Sequence, residues 1–200
     1  MGKQKNRVCP VSLAGGLDNK IRRFLQNPRK ILNPYIEEGM TVLDIGCGPG
    51  FFSIELARMV GKSGKVIAAD LQEGMLHKIR VKIQGTELEE RIRLHKCETN
   101  KLGLLEKVDF VLAFYMVHEV PDQQGFLNEI KSLLKPNGRI LIIEPPFHTS
   151  KKSFDEIVRK ALDAGLKIID RPKIFPNKAV IVQNDFECLW QIARTQNKPA

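Results

Sequence analysis

An acidic residue followed by three alternating glycines is the most informative segment of this chain. Asp44 lies in the apolar run that begins at Thr41, and Gly46, Gly48 and Gly50 follow it. This pattern predicts a buried strand that turns sharply into a helix, with a bend that places no side chain between the backbone and a ligand. The start of such a helix presents free amide groups to the ligand. The carboxylate of Asp44 would be placed to interact with a positive group on that ligand.

The same bend is close to the G-x-G-x-x-G fingerprint of dinucleotide-binding proteins, but Phe51 occupies the third glycine position. Asp44 would also repel a pyrophosphate at the bend. A second acid, Asp70, ends the next apolar run, where it can accept hydrogen bonds from both hydroxyls of a ribose. Asp70 alone suits a nicotinamide dinucleotide equally well. Asp44 and Asp70 together favour a nucleoside that carries a cationic group, such as the amino group of a methionine moiety.

Five segments, in order along the chain, resemble the class I S-adenosylmethionine (SAM)-dependent methyltransferases. The first and second motifs of that family are matched by VLDIGCGPGFFSIELA and VIAADLQEGML. The third-strand region, the fourth strand with its active-site loop, and the following helix with the fifth strand are matched by RIRLHKCETNKLGL, VDFVLAFYMVHEV and PDQQGFLNEIKSLLKPNGRILIIEP. The resemblance is greatest to the small-molecule branch that includes the quinone C-methylases. Residues 1 to about 27 lie outside it.

The resemblance implies that SAM is the cofactor. It implies cofactor contacts at Asp44, Gly46, Cys47, Gly48, Gly50, Asp70, Leu71, Met75, Glu98, Thr99 and Phe114. In the family, an acid at the position of Glu98 meets the adenine amine, and a backbone N–H at the position of Thr99 meets the ring. An aromatic face near the sulfonium is favourable by roughly 0.5–2 kcal/mol, so Phe114 and Tyr115 are candidates for that contact.

The candidate catalytic residues are Tyr115, His118 and Glu144. Methyl transfer is an in-line displacement in which the protein mainly aligns the reacting atoms. We expect His118 to act as the base if the acceptor must lose a proton. Tyr115 would contact the acceptor, and Glu144 would contact the acceptor or the loop. These residue types are equally compatible with carbon, nitrogen, oxygen and sulfur nucleophiles.

Alternating strand and helix patterns must position these residues. The patterns predict strands at about 41–45, 65–70, 92–97, 108–113, 139–144, 167–170 and 179–183, and helices at 51–60, 72–84, 122–134 and 154–164. They indicate an α/β fold of the Rossmann-like, doubly wound type. Its sheet would have seven strands, which are mostly parallel, with the last strand antiparallel. Ligands bind beyond the carboxyl ends of the strands in such a sheet, where Asp44, Asp70, Glu98 and the loop after Ala113 all lie.

The chain before residue 39 is interpreted as a basic N-terminal arm and short helical lid at residues 1–38, with the methyltransferase domain at 39–200, in one structural domain overall. Apolar spacing predicts one helix near residues 17–25 and a second that begins after Asn27 and ends at Gly39. Residues 1–30 contain eight Lys and Arg residues and one acid, whereas the remaining 170 residues contain 24 and 22. The arm is either a solvated terminus or a site for phosphate, carboxylate or nucleic acid.

The composition and motifs of the chain narrow the possible classes of function. Cys9, Cys47, Cys97 and Cys188 are scattered without a C-x-x-C pair, so we expect neither disulfides nor a metal site. No apolar run is long enough to span a membrane and no signal peptide is evident, so we expect a cytoplasmic protein. The D/N-P-P-Y/F motif of amino-methylating nucleic-acid enzymes does not follow the fourth strand. A small-molecule acceptor is therefore favoured, and an RNA or protein methyltransferase guided by the arm, or a non-catalytic SAM-binding protein, stays open.

Overall fold

Alternating strands and helices form one seven-stranded sheet with helices on both faces. The computed structural model describes residues 26–184. The strands are β1 (Thr41–Ile45), β2 (Lys65–Asp70), β3 (Ile92–Lys96), β4 (Val108–Phe114), β5 (Leu134–Glu144), β6 (Leu166–Asp170) and β7 (Lys178–Asn184). The helices are α1 (Pro28–Leu32), α2 (Ser53–Met59), α3 (Glu73–Ile83), α4 (Gln123–Leu133) and α5 (Lys151–Asp163), with a 3-10 turn at Val117–Glu119.

The strand order is β3-β2-β1-β4-β5-β7-β6. β1 to β5 pair in parallel, and β7 runs antiparallel between β5 and β6. The register between β5 and β7 places Glu144 opposite Lys178. These pairings confirm the predicted Rossmann-like sheet, including the reversed last strand.

Alternating residues of each strand face two separate cores. Leu43 and Ile45 of β1 pack in the same core as Phe154 of α5. Val42 packs on the other face with Leu56 of α2. Because both faces are covered, the central strands are buried almost along their whole length, as is typical of parallel sheets.

The N-terminal end of the described chain packs against the second of these faces. Asn27 caps α1 as predicted, since its side-chain oxygen accepts a hydrogen bond of 3.1 Å from the amide of Lys30. The helix ends at Leu32 and does not continue to Gly39, because Pro34 cannot donate a backbone hydrogen bond. Leu32 and Ile36 are both buried. The arm-and-lid interpretation of residues 1–38 stays a prediction, and the helix predicted at 17–25 lies outside the described residues.

Two elements begin three or more residues before their predicted starts. β5 begins at Leu134, five residues before the predicted start, because Leu134 pairs with Val108 of β4. The ladder then shifts register across the Pro-Asn-Gly segment, and regular pairing resumes at Arg139 and Phe110. α5 begins at Lys151, because the hydroxyl of Ser150 caps it by accepting from the amide of Ser153 at 3.0 Å.

Within residues 26–184 no helix combines the length and apolar character needed to cross a bilayer.

Candidate active site

The glycine bend after β1 lies against the end of β2. The amides of Gly46 and Cys47 donate to the carbonyl of Ala69 at 2.9 and 3.1 Å. Gly48 has a φ of +52°, and a Cβ atom added there would have no heavy atom within 4 Å. Gly50 has a φ of +86°, but a Cβ atom there would lie 2.8 Å from Cγ1 of Ile79. The bend therefore presents bare backbone to open space at Gly48 and is closely packed at Gly50.

Asp70 is held beside this bend. Its Oδ2 accepts a hydrogen bond of 2.9 Å from the amide of Gly48, and its Oδ1 accepts one of 2.8 Å from the amide of Gln72. Burial raises the pKa of the Asp70 carboxyl, and the backbone amides around it oppose that rise. An ionised carboxylate offers about four lone-pair sites, so Asp70 can accept further hydrogen bonds from a ligand.

Asp44 lies deeper than Asp70. It is only 2% exposed, and its Oδ2 accepts a hydrogen bond of 2.5 Å from the hydroxyl of Ser53. This contact joins β1 to the first residue of α2. Two other predicted cofactor residues follow β2: Leu71 is 37% exposed, whereas Met75 is buried in α3.

The loop after β3 carries Glu98 and Thr99, both of which are exposed. Its start is fixed to β2, because the amide of Cys97 donates to the carbonyl of Asp70 at 3.0 Å. Its far end is fixed by Glu129 of α4, whose carboxylate accepts from the amide of Leu102 at 3.0 Å and from the next amide at 3.2 Å. The sequence analysis did not identify Glu129, because an acid on the polar side of a helix resembles many others.

Aromatic residues line the end of β4. The ring centroids of Phe114 lie 4.4 Å from Phe52 and 4.1 Å from Tyr115. Tyr115 has a φ of +59°, which is uncommon for a residue with a large side chain. Its hydroxyl accepts a hydrogen bond of 2.6 Å from Gln26 and donates one to Asn177. Tyr115 therefore joins the loop after β4 to two other segments of the chain.

Glu144 braces the turn that carries His118. Its carboxylate is fully buried and accepts from the amides of Val117 and His118 at 3.0 and 3.3 Å, from the hydroxyl of Thr149 at 3.2 Å, and from Nδ1 of His118. With Nδ1 donating to Glu144, the neutral imidazole has its lone pair on Nε2. Oε1 of Glu119 lies 4.0 Å from that nitrogen. Burial raises the pKa of the Glu119 carboxyl, and His118 opposes this.

The two described cysteines are buried. Burial raises the pKa of the Cys97 thiol to about 12, and it raises the pKa of Cys47 well above its ordinary value. Both thiols are therefore neutral near pH 7. Residues 26–184 contain no group of three His, Cys, Asp or Glu side chains that could hold a metal ion. Cys9 and Cys188 lie outside the described residues.

The predicted site residues thus converge at the carboxyl ends of five parallel strands, β1 to β5. Gly48 and Asp70 are in direct contact, and so are His118 and Glu144. Asp44 lies beneath the bend. The contact partners Glu129, Asn177 and Thr149 were not predicted, because they come from segments that only the folded chain brings to the site.

Comparisons with known proteins identify the family of the chain. Residues 36–185 match a family described as "Methyltransferase domain". Demethylmenaquinone methyltransferase of Lactobacillus johnsonii is 36% identical over 164 residues, which are 82% of this chain and 63% of that protein. The ubiquinone/menaquinone biosynthesis C-methyltransferase UbiE of Cellvibrio japonicus is 28% identical over 184 residues, which are 92% and 68%. The chain therefore spans less than two thirds of the length of the first of these relatives.

A solved structure is similar over almost its whole length. The SAM-dependent methyltransferase from Aquifex aeolicus is 31% identical, with a TM-score of 0.79 over 88% of this chain and 98% of that one. The chain therefore belongs to the family of SAM-dependent methyltransferases, and its cofactor is S-adenosylmethionine.

Proposed function

We propose that this protein transfers a methyl group from SAM to a small-molecule acceptor. The observation that carries the proposal is the 2.9 Å hydrogen bond between the amide of Gly48 and Asp70. It places a buried carboxylate beside a backbone turn at Gly48. Because glycine has no side chain, the space next to this turn stays open. A flat nucleoside fits against such a turn, because its ribose hydroxyls can donate to Asp70. When bound, SAM supplies an activated methyl group and its own leaving group.

The remaining cofactor contacts in the proposal follow the strand ends. Asp44 would attract the amino group of the methionine moiety through its negative charge. Glu98 and Thr99 would receive the adenine, on a loop fixed to both β2 and α4. The ring of Phe114 would lie near the sulfonium. The other cofactor contacts in the proposal are Gly46, Cys47 and Gly50 in the bend and Leu71 and Met75 after β2.

The other half of the site would receive the acceptor. We assign proton removal to Nε2 of His118, because Glu144 holds the ring through Nδ1. Glu144 is then a positioning residue, since its carboxylate is fully buried and already accepts from four donors. Tyr115 would contact the acceptor with its ring, which Gln26 and Asn177 hold in place through the hydroxyl.

An electron-rich, hydroxylated ring of the hydroquinone type is the acceptor class that best fits these residues. Both curated relatives are named for quinone methylation. When a carbon of such a ring takes up a methyl group, the ring must release a proton. A histidine with a fixed tautomer beside the aromatic end of β4 provides the base for that step.

Binding of SAM tests the cofactor half of the proposal. Isothermal titration calorimetry is expected to show micromolar binding to the wild type and none to Asp70→Ala or to Gly48→Val. Asp155→Ala, an exposed acid on α5, serves as the control and is expected to bind like the wild type. Micromolar binding retained in both site variants would contradict the assigned site.

Transfer of a labelled methyl group to reduced demethylated quinones tests the acceptor half. We expect His118→Ala to lower kcat by about 10²–10⁴-fold without changing the Kd for SAM. Glu144→Gln is expected to lower kcat and to shift the pH profile, because the amide cannot stabilise a protonated imidazole. Unchanged kcat in His118→Ala would exclude its role as base. Methylation of bulk RNA in place of the quinones would overturn the acceptor assignment.

A further inference from the structure

Two phenylalanine side chains protrude beside the candidate active site. Phe147 and Phe175 are each 93% exposed. Phe147 follows β5, which ends at Glu144, and Phe175 precedes β7, whose first residue pairs with Glu144. The two rings therefore lie on neighbouring loops at the carboxyl ends of the parallel strands, the same end of the sheet that carries His118. Such exposure of two large apolar side chains at one edge indicates an interaction surface.

The two loops are joined to each other. The ammonium group of Lys178 donates a hydrogen bond of 2.8 Å to the carbonyl of Thr149. The amide of Thr149 donates to the carbonyl of Pro145 at 3.2 Å, which closes a tight turn around Phe147. We call residues 145–152 and 171–177 the rim loops. These hydrogen bonds tie the loop that carries Phe147 to the start of β7, beside Glu144.

The rim loops are basic. Four exposed cations flank the rings, and the rim loops contain no Asp or Glu. The cations are Lys151, Lys152, Arg171 and Lys173. The nearest acids in the chain are Asp170, Asp155 and Glu156, just outside these loops.

The stability of α5 does not account for two of these cations. Lys151 and Lys152 occupy the first turn of the helix, which has no acidic residue. The positive end of the helix dipole disfavours cations there. Both side chains are exposed, so an external anionic surface can reach their ammonium groups.

We propose that the rim loops dock on the surface of an anionic lipid bilayer. Phe147 and Phe175 enter the boundary between headgroups and acyl chains, and the four cations face the anionic headgroups. The long lysine and arginine side chains can reach the headgroups while the rings are inserted. Docking in this orientation turns the mouth of the active site toward the bilayer. In that orientation, an apolar acceptor could pass from the bilayer into the active site. This consequence rests on the proposed function, but the docking itself is independent of the proposed function.

RNA also binds aromatic rings and cations, but it requires a groove that follows its backbone. Rings that are 93% exposed stand out from the surface, which suits insertion into a bilayer better than a groove. We therefore favour a membrane, and competition by RNA becomes an outcome of the test.

Co-sedimentation of the full chain with vesicles tests the proposal. Vesicles of phosphatidylcholine with about 30% phosphatidylglycerol are compared with pure phosphatidylcholine in about 0.1 M NaCl. We expect the wild type to bind the anionic vesicles and the Phe147→Asp/Phe175→Asp variant to bind them at least about tenfold more weakly. The quadruple glutamine variant of Lys151, Lys152, Arg171 and Lys173 is expected to lose the preference for anionic lipid.

Leu105→Asp is the matched control. Leu105 is 94% exposed but precedes β4, at the opposite edge of the sheet, so this variant is expected to bind vesicles like the wild type. Phe147→Trp/Phe175→Trp is expected to retain binding, because indole rings also favour the interface. Calorimetry with SAM shows that each variant is folded.

Three results would overturn the docking surface. They are absence of wild-type binding to anionic vesicles, undiminished binding by the double aspartate variant, and equal loss in Leu105→Asp. In a further experiment, bulk RNA competes with the vesicles. If RNA displaces the wild type and the double aspartate variant binds that RNA as tightly as the wild type, the affinity for anionic vesicles belongs to other basic residues, which also overturns the docking surface. None of these results depends on methyl transfer, so they are distinct from failure of the proposed function.

Discussion

Gly50 lies directly against Ile79: a Cβ atom at the glycine would be 2.8 Å from Cγ1 of the isoleucine. The bend after β1 is therefore pressed onto α3 at one glycine, while Gly48, two residues earlier, faces open space. The same residue type serves packing at one position and ligand access at the other.

Alanine substitutions should separate these two roles. A left-handed backbone costs a non-glycine residue about 1–2 kcal/mol, so both variants are expected to lose about that much. Gly50→Ala should lose about 1–3 kcal/mol more because the added methyl group overpacks the contact with Ile79. Urea unfolding measures the difference. Equal losses of unfolding free energy in the two variants would contradict it. SAM titration of Gly48→Ala should show weakened binding in a protein that is still folded.

Asp70 should make the unliganded protein less stable as pH rises. Burial raises its pKa above the ordinary 3.8, so the folded state keeps a proton that the unfolded state loses in the window above that value. The unfolding free energy of the wild type relative to Asp70→Asn should therefore fall as pH rises above 3.8 and through the raised pKa of the folded state. A difference that rises with pH would contradict the raised pKa.

Binding of SAM should show the opposite dependence on pH. Hydrogen bonds from ribose hydroxyls favour the ionised form of Asp70. The Kd for SAM should therefore rise as pH falls through the titration of this carboxyl. Calorimetry at several pH values measures the effect, with Glu156→Ala as a control that keeps the same dependence.

Glu129 should support cofactor binding without contacting the cofactor. Its carboxylate accepts from the amides of Leu102 and Gly103 and so fixes the loop that carries Glu98. Loss of these contacts in Glu129→Ala should weaken SAM binding by about tenfold, which corresponds to about 1.4 kcal/mol. Glu129→Gln should recover part of the affinity, because its amide oxygen can still accept. Unaltered affinity in the alanine variant would show that the loop is held by other contacts.

Cys97 should resist alkylation in the folded protein. Burial raises its pKa to about 12, so about a thousandfold less thiolate is present near pH 8 than for an ordinary thiol. In a Cys9→Ser/Cys188→Ser background, iodoacetamide should label the protein only after denaturant is added. Mass spectrometry measures the labelling, and fast labelling of Cys97 without denaturant would contradict the burial.

Sequence reasoning identified the parts of the site that local patterns encode. The bend at Gly48 and the acid at Asp70 each follow an apolar strand, and parallel strands bring such ends together, so their proximity was predictable. Asn177 was not predictable, because it meets Tyr115 across 62 residues of sequence through a loop without a periodic pattern. The start of β5 was missed for a related reason: Leu134 pairs with Val108 of β4 ahead of an irregular segment, and the ladder resumes only where Arg139 pairs with Phe110.

The position of β7 also has a consequence for how this fold can diversify. The glycine bend follows β1 and Asp70 ends β2, whereas the rim loops follow β5 and join β6 to β7, at least two strands away in the sheet. Mutations that accumulate in residues 171–177 therefore leave the nucleoside half of the site untouched. Asn177 in this segment accepts a hydrogen bond from Tyr115, which the proposed function places at the acceptor, so such mutations would alter the acceptor half alone.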